Sequence, residues 1–65
     1  MASSVYIGHA ITKILLDRRM HSIRSLANGL EVSKDAVANH VAEMESLGLV
    51  RITSGRYGGV LWIAD

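Results

Sequence analysis

The sequence predicts an α+β fold in which three helices are followed by a C-terminal two-stranded β-hairpin. Apolar residues recur at three- and four-residue steps as far as Leu47, a pattern typical of helices. Two β-favourable runs, "LVRIT" and "VLWIA", then flank the glycine-rich connection "SGRYGG". Because 65 residues suffice for one domain of marginal stability, we expect residues 1–65 to form a single unit with the hairpin packed on the helices.

The first helix is predicted from about Val5 to Arg19, with Ser3 or Ser4 as its cap. Its buried stripe comprises Ile7, Ala10, Ile11, Ile14 and Leu15. A second apolar side, opposite the buried stripe, contains Val5, Thr12 and Leu16. These three are either scattered surface residues or the contact of a homodimer.

The second helix is predicted from about Arg24 to Leu30, after "MHSI" interrupts the helical period. Ile23 is expected in a short strand or extended link before it. Glu31 and Val32 form the turn that follows. The side predicted to be buried comprises Leu26, Ala27 and Leu30.

The third helix begins after Ser33, a favourable N-cap, and Asp35 in its first turn suits the positive end of the helix dipole. Gly48 is placed to end it. The residues predicted to face the core are Val37, Val41 and Met44, with His40 as a packed residue at their edge. In the hairpin, Ile52 and Trp62 are expected to fix the strands to the helices.

Composition argues against several function classes. The chain has no cysteine, its three histidines lack metal-ligand spacing, and no pair of titratable groups has the setting of a nucleophile and base. We therefore expect no enzyme activity, metal or cofactor, and the length leaves no room for a domain that binds a small-molecule effector. No signal peptide or membrane span is recognisable, so a soluble, cytoplasmic protein is expected.

Two helices joined by a short turn and followed by a hairpin form the arrangement of a winged helix-turn-helix. Residues of both helices and of the start of the hairpin match a pattern of this arrangement in order and spacing: Leu26, Ala27, Leu30, Val32, Ser33, Val37, His40, Val41, Met44, Gly48, Leu49 and Val50. Through these residues the chain resembles the DNA-binding modules of DeoR-like, GntR-like and related bacterial or phage regulators, and "SGRYGGVLWI" is similar to the "GRGGG" hairpins of the GntR type. In one departure, Glu31 stands where the family commonly has glycine, and a positive φ there would cost about 1 kcal/mol.

The resemblance implies that the first turns of the third helix enter the major groove. Lys34, Asp35, Ala38 and Asn39 are then the candidates for reading bases, because asparagine can pair with adenine, alanine can touch a thymine methyl and aspartate can accept from cytosine. The alternative is that Asp35 and Asn39 are only solvated surface residues.

Phosphate contacts must supply most of the affinity, although the net charge is only +1. Arg56, at the hairpin tip beside Tyr57, is the strongest candidate. Arg24 stands at the start of the second helix, whose amides can hold a phosphate. Further candidates are Ser22, Ser25, Ser33 and Arg51. Arg18 and Arg19 are better explained by their place at the end of the first helix, and Glu43 and Glu45 as solvated residues.

The sequence thus predicts sequence-specific binding of double-stranded DNA by a homodimer on a two-fold symmetric site, as a small transcriptional regulator without an effector domain. Its size suggests a phage, plasmid or other mobile-element origin. The alternative is a winged helix that binds another protein, favoured by the weak charge and the apolar second side of the first helix.

Overall fold

The computed structural model describes residues 4–56 and 58–65, with side chains from residue 6 onward. Its elements, in chain order, are helices α1 (Ser4–Leu15), α2 (Ile23–Leu30) and α3 (Lys34–Ser46) and antiparallel strands β1 (Val50–Thr53) and β2 (Gly59–Trp62). The predicted α+β fold is confirmed, and the layout is consistent with a winged helix-turn-helix.

The core lies where the three helices meet the inner face of the hairpin. Its buried residues are Ile11, Leu15, Leu26, Ala27, Val37, Val41, Met44, Val50 and Val60. Ile52 and Trp62 pack against this cluster, as predicted. No polar or charged side chain is buried among the described residues, so apolar burial is the main source of stability in this part of the chain.

Helix α1 is shorter than predicted, because it ends at Leu15 and not near Arg19. The N–H of Arg18 bonds to the carbonyl of Leu15 at 3.0 Å, three residues back, and Arg18 has a left-handed φ of 62°. Oδ1 of Asp17 accepts the N–H of Arg19 at 2.8 Å. An aspartate that bonds to a nearby backbone N–H offers an alternative to the helical pattern, and a left-handed residue ends it.

The link between α1 and α2 is extended at His21, and not at Ile23 as predicted. His21 donates its N–H to the carbonyl of Val60 at 3.0 Å and accepts the N–H of Val60 at 2.7 Å, which makes an antiparallel bridge. Ser22 then caps α2, and Ile23 is the first helical residue. One residue of the link is therefore paired with the free edge of β2.

The α2–α3 turn depends on Glu31, which has a φ of 57° and lies in the left-handed region. A residue other than glycine is strained in this conformation, so the expected cost of about 1 kcal/mol applies to Glu31. The turn is closed by the N–H of Val32, which bonds to the carbonyl of Ala27 at 3.0 Å. Gly29 lies inside α2 and is not part of the turn.

The hairpin follows directly from the end of α3. Gly48 has a φ of 80°, and its predicted role in ending the helix is confirmed. In the strand register Ile52 is opposite Val60 and Arg51 is opposite Leu61. Ile52 is on the side of the hairpin that packs against the core, whereas Arg51 is exposed.

Candidate nucleic-acid interface

The N-terminus of α3 is open to solvent and is capped as the sequence predicts. Ser33 has extended backbone angles, and its Oγ accepts the N–H of Ala36 at 3.1 Å. Lys34 and Asp35, the first two helical residues, are both exposed. Asp35 lies where the positive end of the helix dipole stabilises a carboxylate. This end therefore presents one cation, one anion and unpaired backbone donors.

The outer face of α3 is small and nearly neutral in its first half. Val37 and Val41 are buried, which turns Asn39 to solvent, where it is exposed. Ala38 is half-buried, so its methyl group lies at the margin of the exposed surface and is not fully outward as expected. Farther along the helix, the exposed residues are Ala42, Glu43, Glu45 and Ser46, and Leu47, which caps its C-terminus, is exposed as well.

The N-terminus of α2 has the same cap chemistry. The Oγ of Ser22 accepts the N–H of Ser25 at 3.0 Å, and Arg24 and Ser25 are exposed. The cap uses Ser22 Oγ as an acceptor. Because a hydroxyl also has a donor hydrogen, both cap serines, Ser22 and Ser33, can still donate to an anion.

The hairpin contributes two exposed cations, Arg51 on β1 and Arg56 in the loop after it. Tyr57, the other predicted contact at the tip, lies outside the described residues. Within the described part of the chain, Asp17 and His21 form the one contact between an acidic and a basic side chain within 4.0 Å. Arg24, Lys34, Arg51 and Arg56 therefore lack an acidic partner at that range. Their charges are available to a ligand.

The two glutamates of α3 have different environments. Glu43 lies along a groove of about 390 Å³ between α1 and α3, whose other lining residues are Ile7, Ala36, Asn39 and His40. Glu45 lies on the hairpin side, and its Oε2 accepts the N–H of Ile52 at 3.0 Å. Glu45 is exposed, as expected for a solvated residue, but it also bonds to the backbone of β1. No sequence signal indicates this bond, because it depends on how β1 docks beside α3.

His40 and His21 are both structural. His40 is half-buried and its Nδ1 bonds to the carbonyl of Ala36 at 2.8 Å, so that nitrogen carries the proton. This agrees with its predicted role as a packed residue. His21 Nε2 bonds to Asp17 Oδ2 at 2.9 Å. The hydrogen bond from the backbone N–H of Arg19 lowers the pKa of Asp17 most, and the hydrogen bond with the His21 side chain lowers it further.

The predicted dimer contact on α1 is only partly accessible. Leu16 is 52% exposed and continues the last turn, since its N–H bonds to the carbonyl of Thr12. Thr12 is half-buried, and its hydroxyl donates to the carbonyl of Gly8 at 2.9 Å. The side chain of Val5 lies outside the described residues. Of the two members whose side chains are described, Leu16 is the more accessible to a partner.

Arg18 and Arg19 lie just after the C-terminal end of α1, which agrees with their interpretation as residues of that helix end. Arg18 also makes an intramolecular contact. Its Nη2 donates to the carbonyl of Ala64 at 2.9 Å, which ties the C-terminal segment to the turn.

No family model, curated protein or solved structure matches this chain. Among the described residues, no group of three or more histidine, cysteine or acidic side chains is arranged to hold a metal ion. None of the described helices, of which α3 is the longest at 13 residues, is long and apolar enough to cross a membrane.

Proposed function

We propose that the chain binds double-stranded DNA sequence-specifically, with α3 in the major groove and the hairpin loop on the flanking backbone or in the minor groove. The observation that supports this most directly is the helix-turn-helix itself. The exposed N-terminus of α3 follows α2 after a three-residue turn, residues 31–33, and the hairpin continues from its other end. In helix-turn-helix proteins, the N-terminal residues of the second helix contact base edges.

Base recognition is assigned to the exposed side chains of the first two turns. Asn39 has the paired donor and acceptor that match adenine, and Lys34 can donate to guanine. Asp35 can accept from cytosine. The half-buried Ala38 offers a methyl surface at the edge of this face and allows the helix backbone to approach the groove closely.

Affinity is assigned to groups outside the reading face, which explains why α3 itself needs little positive charge. Arg24, Arg51 and Arg56 are exposed and lack an acidic partner within ion-pairing range in the described part of the chain. Ser22 and Ser33 add hydroxyl donors at two helix N-termini, where the dipole favours a phosphate. Asp35, Glu43 and Glu45 weaken general attraction to DNA.

Duplex binding measured against salt concentration tests this proposal. Arg56→Ala should weaken binding to every sequence and lower the salt slope by about 1, since one phosphate contact is lost. Asn39→Ala should relax preference at one base pair, by about 1–3 kcal/mol of discrimination. Lys13→Ala removes a cation from the last turn of α1 and serves as the charge-matched control. Absence of binding to any duplex at low salt would refute the proposal.

The proposed form is a homodimer on a two-fold symmetric site, acting as a cytoplasmic transcriptional regulator. The support is Leu16, a large apolar side chain that is half exposed beside the end of α1. Leu16→Lys should convert the dimer to a monomer in sedimentation experiments. An unchanged dimer would place the contact elsewhere.

A second candidate function, binding of another protein, is favoured by the exposed apolar side chains Leu16, Leu47 and Ile63, which are 52%, 67% and 43% exposed. Hydrogen bonds connect the segments that carry these side chains. Ile63 donates its N–H to the carbonyl of Leu49, two residues after Leu47, and Arg18, two residues after Leu16, bonds to Ala64 beside Ile63. A stable complex with another protein, together with no duplex binding at low salt, would favour this function over the first.

A further inference from the structure

A row of hydrogen bonds crosses the hairpin at one level and joins it to the helical body on both sides. Val60 on β2 exchanges two backbone hydrogen bonds with His21, at 2.7 and 3.0 Å. Ile52, the register partner of Val60 on β1, donates its N–H at 3.0 Å to Glu45 of α3. We call these four residues, His21, Val60, Ile52 and Glu45, the transverse row.

The two ends of the transverse row differ in strength. The His21 end consists of two backbone bonds and is reinforced by the bonds between the His21 ring and Asp17. The Glu45 end consists of one bond from an exposed side chain to the outer edge of β1. The bond from Glu45 is charge-assisted and therefore stronger than a neutral hydrogen bond. Removal of the Glu45 side chain takes this link between β1 and α3 away.

The transverse row lies close to the hairpin loop that contains Arg56. A single strand pair, Thr53 with Gly59, separates it from the loop that contains Arg56. Only Thr53, Ser54 and Gly55 lie between Ile52 and Arg56 along the chain. A two-stranded hairpin is not rigid by itself, so its angle to α3 depends on its links to the helices.

We infer that Glu45 is a positioning residue, which holds the hairpin against α3 so that Arg56 and the N-terminal face of α3 reach one duplex together. This inference rests on the proposed DNA binding. A carboxylate on the DNA-facing helix costs general affinity for a polyanion, and the hydrogen bond to Ile52 gives it a compensating role in geometry.

The chain offers a matched control for charge. Glu43 and Glu45 are both exposed glutamates in the second half of α3, but Glu43 lies along the groove with α1 and Glu45 bonds to β1. Replacing either with alanine removes one negative charge. Any difference between Glu45→Ala and Glu43→Ala therefore reports the contact with Ile52. Glu45→Gln retains an oxygen acceptor and should behave as the wild type does in hairpin geometry.

The first measurement needs no DNA. Residual dipolar couplings of backbone amides give the orientation of β1 and β2 relative to the helices. Glu45→Ala should change or average the hairpin couplings and make exchange of the Ile52 amide roughly tenfold faster. Glu45→Gln and Glu43→Ala should leave both unchanged. A hairpin that keeps its orientation in Glu45→Ala would overturn the inference, whatever the protein binds.

The second measurement is a double-mutant cycle on duplex binding. Arg56→Ala should weaken binding by the same factor in the wild type and in Glu43→Ala, and by a smaller factor in Glu45→Ala. The salt slope of Glu45→Ala should fall by about 1, as in Arg56→Ala. An undiminished Arg56 effect in Glu45→Ala would also overturn the inference. If no variant binds any duplex, the proposed function fails, and the dipolar couplings still decide whether Glu45 sets the hairpin angle.

Discussion

The packing of the hairpin on the α1–α2 link leaves no room for a side chain at Gly59. A Cβ at this position would lie 2.6 Å from the carbonyl oxygen of His21 and 3.0 Å from Cγ of Met20. The first distance is a severe overlap with backbone, which cannot rotate away as a side chain can. Gly59→Ala should therefore push β2 away from His21 and disrupt the bridge between His21 and Val60.

The expected cost follows from what is lost. The bridge contains two backbone hydrogen bonds, each worth about 1 kcal/mol net. Val60, fully buried beside it, would lose part of its packing. Gly59→Ala should thus lower the free energy of unfolding by about 2–3 kcal/mol. For a domain of this size, that corresponds to a melting temperature lower by roughly 10 °C or more.

Urea denaturation, followed by circular dichroism and by Trp62 fluorescence, measures the change. Gly29→Ala is the control, because a Cβ there meets no atom within 4 Å and the residue is exposed in α2. That variant should gain about 0.5–1 kcal/mol through helix propensity. A Gly59→Ala protein as stable as the wild type would show that the close approach does not constrain the hairpin.

Three further predictions concern the turns. Ser33→Ala should lower stability by about 1 kcal/mol in urea denaturation through loss of the α3 cap, and Ser33→Asp should retain most of it. Glu31→Gly should raise the unfolding midpoint by relieving about 1 kcal/mol of left-handed strain, and a lower midpoint would contradict the backbone argument. Because the folded state lowers the pKa of Asp17, its contribution should be complete above the pKa of the unfolded carboxyl and be lost as pH falls through the folded value. Asp17→Asn should flatten this acid limb of stability against pH, and an unchanged limb would assign it to other carboxylates.

Local rules were sufficient for most of the helical architecture. Ser33 and Gly48 mark the ends of α3 through backbone chemistry that acts within a few residues, and Val37, Val41 and Met44 follow the helical period. The prediction for the end of α1 was wrong because the apolar period continues to Leu16, while Asp17 and Arg18 form a turn. The left-handed backbone of Glu31 could be foreseen only because the family that the chain resembles commonly has glycine at this position.

The candidate interface also has one part that could be predicted from the sequence and one part that could not. The exposure of Lys34, Asp35 and Asn39 follows from helical periodicity, since burying one face of α3 leaves the other to solvent. The half-burial of Ala38 depends on the neighbours of that face, which periodicity does not specify.

The sequence by itself determined the order and type of the elements, because caps, glycines and apolar spacing act over a few residues. Only the tertiary structure decided the pairing of His21 with Val60 and the bond between Glu45 and Ile52. His21 is 39 positions from Val60 along the chain, and Glu45 reaches β1 across the gap between a helix and a strand edge. Such contacts exist only after the hairpin has packed on the helical core, so the geometry of the hairpin relative to α3 is a property of the folded whole.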